Sequence, residues 1–334
     1  MDYAYDLQRA AAQELKAYEP VEAEDLWIPG TNQESQLHVM LWTMPESQPR
    51  GVVQLVHGMT EHIGRYADFA SFLVSNGFAV IGHDHLGHGK TCTTSDQQGH
   101  IPLADGAQLL VEDVHRVRLF AQERFGRDLP YVLFGHSMGS FVCRNYVARY
   151  GKGLAAAVFC GTGTPPLAAS KAGNLLCHVI AKLKGEKHQS KLVDSLATGG
   201  YNKAIANPRT PFDWLSYNRE NVDAYLSDPD CGFMFSVGGY ATLTALTAGA
   251  VQRQTAEHYP AHLPILFVSG EDDPVGGSKA NGVKSAYKLV RSAVTGPCDL
   301  QIFPYMRHEI LNERERGAVY SYVLDWICRQ LEAD

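Results

Sequence analysis

Tyr131-Val132-Leu133-Phe134-Gly135-His136-Ser137-Met138-Gly139-Ser140 joins a short apolar run to a stretch, Gly139 to Arg149, that reads as a helix. An apolar run of this length, bounded by glycine, is read as a strand covered on both faces. Between the two stands G-x-S-x-G. A nucleophilic serine needs a sharp, strained strand-to-helix turn, and small residues flank it because the backbone passes close to its neighbours. The plain alternative is a serine in an ordinary turn; the strand and helix flanks favour the strained one.

The same rhythm extends outward. Upstream lie an apolar run at Val52 to Val56, helix-like Tyr66 to Ser75, a run at Phe78 to Ile81 and a helix through Leu109 to Phe125; downstream comes a strand at Leu154 to Cys160. Strand, helix, strand in succession builds a mostly parallel sheet with helices on both faces. Gln36 to Met44 alternates like a half-buried strand, and Tyr3 to Tyr18 reads as a helix. The rhythm breaks at Gly161-Thr162-Gly163-Thr164-Pro165-Pro166 and resumes at Leu263 to Ser269. Leu175 to Leu183 and Lys191 to Leu196 are helix-like, and Pro208 to Phe235 is rich in proline and aromatics. So long an insertion between strands of one sheet is expected to be a mainly helical cap. The last strand, Leu300 to Phe303, precedes a closing helix, Val319 to Leu331. Residues 1–163 and 259–334 thus form an α/β core, and 164–258 the cap.

Composition narrows the function. With 45% hydrophobic and 19% charged residues, the 334-residue chain has ample material for a core and no disorder signature. A net charge of -7 and a pI near 6.0 exclude nucleic acid as a partner, since phosphates demand a basic face. Seven scattered cysteines, an odd number without CxxC spacing, fit a reduced compartment. The N-terminus has no signal-peptide pattern, and no run approaches the ~18 apolar residues of a membrane span. A cytoplasmic protein is expected, touching membrane at most peripherally through the cap; oligomeric state has no signal.

A serine hydroxyl needs a histidine base, and the base an orienting carboxylate. In this fold they follow in the order serine, acid, histidine. After the strand Ile265 to Val268 come Glu271, Asp272 and Asp273; after Phe303 comes His308. Any of the three acids has the reach. The oxyanion of a tetrahedral intermediate needs two backbone donors. The residue after the nucleophile, Met138, supplies one, and Met59, in the loop after Val52 to Val56, the other. His83-Asp84-His85-Leu86-Gly87-His88-Gly89 has metal-ligand residue types, but is better read as a polar turn after a strand, since a serine mechanism needs neither metal nor cofactor. None is expected.

His57-Gly58-Met59-Thr60-Glu61-His62 with Arg65-Tyr66, then Asp84 to Gly89, then Gly135 to Gly139, together resemble the monoglyceride lipase and lysophospholipase group of α/β-hydrolases, also termed serine aminopeptidase-like. The resemblance covers roughly Gly51 to Cys160 and Leu263 onward. It implies hydrolysis of a carboxylic ester, such as a monoacylglycerol or lysophospholipid, through an acyl-enzyme. Its G-x-x-D falls on Gly270 and Asp273 and so selects Asp273; it also implies that His83 to Gly89 is a structural loop.

In the cap, Lys171, Lys182, Lys184, Lys187 and Lys191 surround apolar Leu175, Leu176, Val179, Ile180 and Leu183. Such a helix either rests on a lipid surface or simply carries a solvated face. Phe233 and Phe235 either line an acyl-chain pocket or form cap core. An aminopeptidase on the same frame would need an acidic clamp for its substrate amine, with Asp213, Glu220, Asp223, Asp228 and Asp230 as candidates; a small-ester hydrolase would not. A non-catalytic binding protein would be expected to lack a member of the triad.

Overall fold

The structure is a computed structural model and describes residues 17–32, 34–45 and 48–332; the helix read over Tyr3 to Tyr18 falls, up to residue 16, outside them. The strands β1 (Glu24–Pro29), β2 (Gln36–Trp42), β3 (Val52–Val56), β4 (Ala79–His83), β5 (Tyr131–His136), β6 (Ala156–Cys160), β7 (Ile265–Gly270) and β8 (Cys298–Phe303) form one sheet. Their order is β1-β2-β4-β3-β5-β6-β7-β8. β2 is antiparallel to both β1 and β4; every pair from β4 to β8 is parallel.

The core half supplies α1 (Ala67–Ser75), α2 (Gly106–Phe125) and α3 (Met138–Tyr150). Between β6 and β7 run α4 (Leu167–Lys184), α5 (Lys191–Ala197), α6 (Arg219–Ser227), α7 (Val237–Ala250) and α8 (Arg253–Glu257); α9 (Asn281–Arg291) and α10 (Arg316–Leu331) follow. Strand side chains alternate between faces. Val52 and Val56, Tyr131 and Leu133 join a cluster with α2, α3, α7 and α9, whereas Val53, Leu55, Val132 and Phe134 join another with α1 and α10. Covered on both sides, the central strands β3 to β7 are buried throughout.

Five elements have no counterpart in the sequence reading: β1, α6, α7, α8 and α9. α7, with the sequence VGGYATLTALTAGA, is built almost wholly from small residues. It shows no polar and apolar face because α3 and α4 both pack on it: Asn145 donates to the Leu246 carbonyl at 2.9 Å and Asn174 to that of Ala241 at 2.8 Å. Buried Arg144 of α3 ties down both ends of the insertion, donating to the Gly163 carbonyl at 2.9 Å and to that of Ala250 at 2.6 Å. The seven cysteines are all unbridged.

Chain direction explains where a site forms. From β3 the chain steps to β4 on one side, and the next strand, β5, lies on the other. Ligands of open α/β sheets bind beyond the carboxyl ends of strands at such a switch point. The loops after β3 and β5 flank it and carry Met59 and Ser137.

Candidate active site

Ser137 ends β5 in a backbone conformation of φ 53°, ψ -121°, a region closed to most non-glycine residues. The neighbours hold it there. The Ser137 amide donates to the Cys160 carbonyl at 3.0 Å, and Ser140 Oγ to the Ser137 carbonyl at 2.6 Å. A Cβ on Gly139 would lie 2.1 Å from the Val56 carbonyl oxygen, and one on Gly135 2.5 Å from Cys143 Sγ, so both glycines are required for β3, β5 and α3 to meet. Met138 is the first residue of α3, and its amide is among the helix N-terminal donors that have no intrahelical acceptor.

Of the three acids after β7, the fold brings one to histidine. Asp273 is buried and its Oδ1 and Oδ2 lie 2.9 and 3.0 Å from His308 Nδ1; Glu271 and Asp272 are exposed. The Val275 amide (2.8 Å) and Ser269 Oγ (3.3 Å) also donate to the Asp273 carboxylate, which fixes its plane. His308 lies between the rings of His136 (4.7 Å) and Trp214 (5.1 Å). Its Nε2 is buried, has no hydrogen-bond partner among the described residues, and faces the same cavity as Ser137.

Beneath these groups runs a charged network that sequence reading did not assemble. Glu61 Oε1 accepts from the Gly58 amide (2.6 Å) and Tyr66 hydroxyl (2.8 Å) and lies 3.4 Å from His136 Nδ1; Arg65 donates to Glu61 Oε2 at 2.9 Å. Arg65 also grips Glu309 through both oxygens, at 2.6 and 2.8 Å, and Asn221 of α6 donates to the same carboxylate at 2.6 Å. Burial pushes the Glu61 carboxyl up, but the His136 hydrogen bond and the Arg65 charge outweigh it and hold it well below the ordinary range. Burial lowers His136, yet its bond to Glu61 leaves the imidazole raised. Arg65 and Glu61 belong to the motif His57 to Tyr66, but Glu309, the second partner of Arg65, lies 244 residues from it; no spacing rule joins them.

The histidine-rich loop is a buried packing unit. His85 donates its amide to His57 Nε2 at 3.0 Å, and the rings of His57, His85 and His88 lie against one another. Asp84 accepts from the Ile63 and Lys90 amides at 2.8 and 2.9 Å and pairs with His38 at 2.7 Å.

Above the site opens a cavity of roughly 710 Å³, within the ~300–1,000 Å³ that holds a drug-sized ligand. Met59, Phe141, Phe233, Met234 and Leu243 line it, with Trp214 beside His308. Phe235 requires a correction to the sequence expectation. It stands behind Phe233 (6.3 Å) and is completely buried against His88 (5.3 Å) and Tyr240 (5.6 Å), so it supports the wall without facing the cavity. Among the described residues, no Lys or Arg lines the cavity, and neither does Asp213, Glu220, Asp223, Asp228 or Asp230.

A histidine-rich loop, a serine at a strained β5 turn, and an acid and a histidine after the two last strands of this sheet define an α/β-hydrolase. The match of a family model confirms the class more narrowly: residues 47–315 fit Hydrolase_4, described as serine aminopeptidase, S33, and the chain belongs to that family. A monoacylglycerol lipase of Mycolicibacterium smegmatis is 30% identical over 87% of this chain and 92% of its own. The monoglyceride lipase of Homo sapiens is 24% identical over 90% and 89%. The crystal structure of a thermostable carboxyl esterase from Bacillus coagulans, solved with glycerol, superposes with a TM-score of 0.85 at 31% identity, covering 93% of this chain and 99% of that one.

Proposed function

We propose that the protein is a serine carboxylic-ester hydrolase that cleaves monoacylglycerols. The observation that carries it is the Asp273–His308 pair, buried beside the Ser137 turn beneath an apolar cavity. Ser137 Oγ attacks the acyl carbonyl while His308 Nε2 takes its proton, and Asp273 stabilises the imidazolium at Nδ1. The amides of Met59 and Met138 bind the oxyanion, each worth on the order of 3 kcal/mol. His308 returns the proton to the leaving glycerol oxygen; water then attacks the acyl-enzyme by the same route and frees the acid.

The cavity favours a neutral head group. A lysophospholipid would bring a phosphodiester near Glu61, Asp194 and Glu309 with no lining Lys or Arg to receive it, whereas glycerol asks only for hydrogen bonds. Residues 164–258 act as the cap. Leu175, Val179 and Leu183 form one row along α4, and with Leu192 and Leu196 of α5 they stand exposed beside Lys182, Lys184 and Lys191. Leu196 also lines the cavity, so the patch reaches its mouth. This face rests on lipid and draws single-chain esters from it. Among the described residues, no helix is long and apolar enough to cross a membrane.

The test is product release from monoacylglycerols, lysophospholipids, short aryl esters and aminoacyl amides, with wild type and Ser137→Ala side by side. Monoacylglycerol cleavage above the other classes, lost on the order of 10⁶-fold in the variant, is the expected result. Preferential amide release would make the protein a peptidase, and turnover that survives in Ser137→Ala would remove the serine mechanism.

A further inference from the structure

Next to the cavity-lining Glu61 and Gly232, but outside the cavity itself, His62, Asp228 and Cys231 bring an imidazole nitrogen, a carboxylate oxygen and a thiol sulfur within 4.8 Å of one another. His62 lies in the loop after β3, three residues beyond Met59; the other two occupy the turn that follows α6 in the cap. None of the three lines the cavity. We propose that they form a transition-metal site, suited to Zn²⁺, that clamps the cap turn to the loop carrying Met59.

The donor set decides the metal class. Nitrogen, thiolate sulfur and one carboxylate oxygen match zinc and its neighbours, whereas calcium and magnesium take oxygen cages. Three protein ligands leave the fourth tetrahedral position to water, the coordination that catalytic zinc sites use. Ligand atoms around tetrahedral zinc lie roughly 3.5 Å apart, from metal–ligand lengths of about 2.0–2.3 Å. His62 Nε2 and Asp228 Oδ2, now at 2.9 Å, must part slightly to take an ion between them, and Cys231 Sγ lies within 4.8 Å of both.

The backbone already holds both halves. The Cys231 amide donates to the Asp228 carbonyl at 3.1 Å and the Asp230 amide to Asp228 Oδ1 at 2.8 Å, which closes the turn and leaves Oδ2 for His62. The Gly232 amide donates to the Thr60 carbonyl at 3.0 Å, and the Tyr225 hydroxyl to the same oxygen at 2.9 Å, so cap turn and loop meet beside the ligands. A metal there adds strong bonds across a junction already crossed by these hydrogen bonds, by the His62–Asp228 pair and by Arg65 stacked over the Tyr225 ring. Any opening of the cap that parts this junction is then opposed, and ester turnover slows.

Cobalt reads the site directly, because a cobalt–thiolate bond has a near-ultraviolet charge-transfer band. The full-length protein is titrated with Co²⁺ alone, beside Cys231→Ser and Asp228→Asn, and Zn²⁺ affinity is taken by competition with a chromophoric chelator. One Co²⁺ per chain with that band, absent in Cys231→Ser, and Zn²⁺ affinity at least about tenfold weaker in Asp228→Asn are expected. No band in the wild type, or an undiminished band in Cys231→Ser, overturns the site. Equal metal-free melting temperatures show that the variants fold. Hydrolysis of a soluble ester is then followed with added Zn²⁺: inhibition of the wild type but not of Cys231→Ser is expected, and equal rates with and without Zn²⁺ in the metal-loaded wild type overturn the clamp.

Discussion

At the residue scale, the three acids after β7 form a natural comparison. Asp273 is buried against His308 and held by Val275 and Ser269, whereas Asp272 is exposed and accepts from Tyr217 at 2.9 Å. Asp273→Asn should lower kcat about 10⁴-fold, because an amide there neither stabilises the imidazolium nor holds its tautomer. Asp272→Asn should leave kcat within a factor of about two. Steady-state kinetics on a soluble ester checks both, and comparable losses in the two variants would refute the assignment. Residue types and chain order made Ser137 and His308 legible in the sequence. The choice of Asp273 came from resemblance, since three adjacent carboxylates have equal chemistry until burial separates them. Arg65 with Glu309, and Trp214 against His308, were not legible: each contact joins residues far apart in sequence and exists only once the sheet edge has gathered their loops.

At the element scale, most strands and helices of the core could be read because covered strands are continuous apolar runs and the core helices between them show helical spacing; the mostly exposed edge strand β1 and the helix α9 were missed. α7 could not. Its small residues serve close packing against α3 and α4 and erase the periodicity that marks a surface helix. α4 is the opposite case. Leu176 and Ile180 pack inward while Leu175, Val179 and Leu183 remain exposed, a second apolar row that packing does not require. Leu175→Glu with Leu183→Glu should reduce sedimentation with anionic vesicles at least about tenfold and slow hydrolysis of vesicle-borne monoacylglycerol. Turnover of a short soluble ester should be unchanged. Equal vesicle binding by variant and wild type would mean that this face is merely solvated.

At the scale of the whole molecule, buried Asp84 links β2, β4 and the loop after β3 through His38, Lys90 and Ile63. Burial pushes its carboxyl up, but the His38 hydrogen bond and the Ile63 amide outweigh that and hold it at about 2. In the unfolded chain it titrates near 4. As pH falls between these values the unfolded state takes up a proton that the native state refuses. The stability Asp84 contributes above pH ~4, about 2 kcal/mol, is therefore lost toward pH 2. Urea midpoints should show Asp84→Asn weaker than wild type at pH 6, with the gap narrowing toward pH 3; a gap independent of pH would remove the ionised carboxylate from the account. The 213–218 stretch, though part of the insertion, is bonded chiefly to the loop that carries His308. Glu313 accepts from Ser216 Oγ at 2.7 Å and from the Tyr217 and Asn218 amides at 3.1 Å, Arg307 donates to the Asp213 carbonyl at 2.7 Å, and the Glu309 amide donates to that of Leu215 at 2.8 Å. In a chimera that exchanges caps between relatives, the transplantable module is therefore not the whole insertion: this short stretch travels with its histidine loop, and recombination that separates the two inherits a misaligned base.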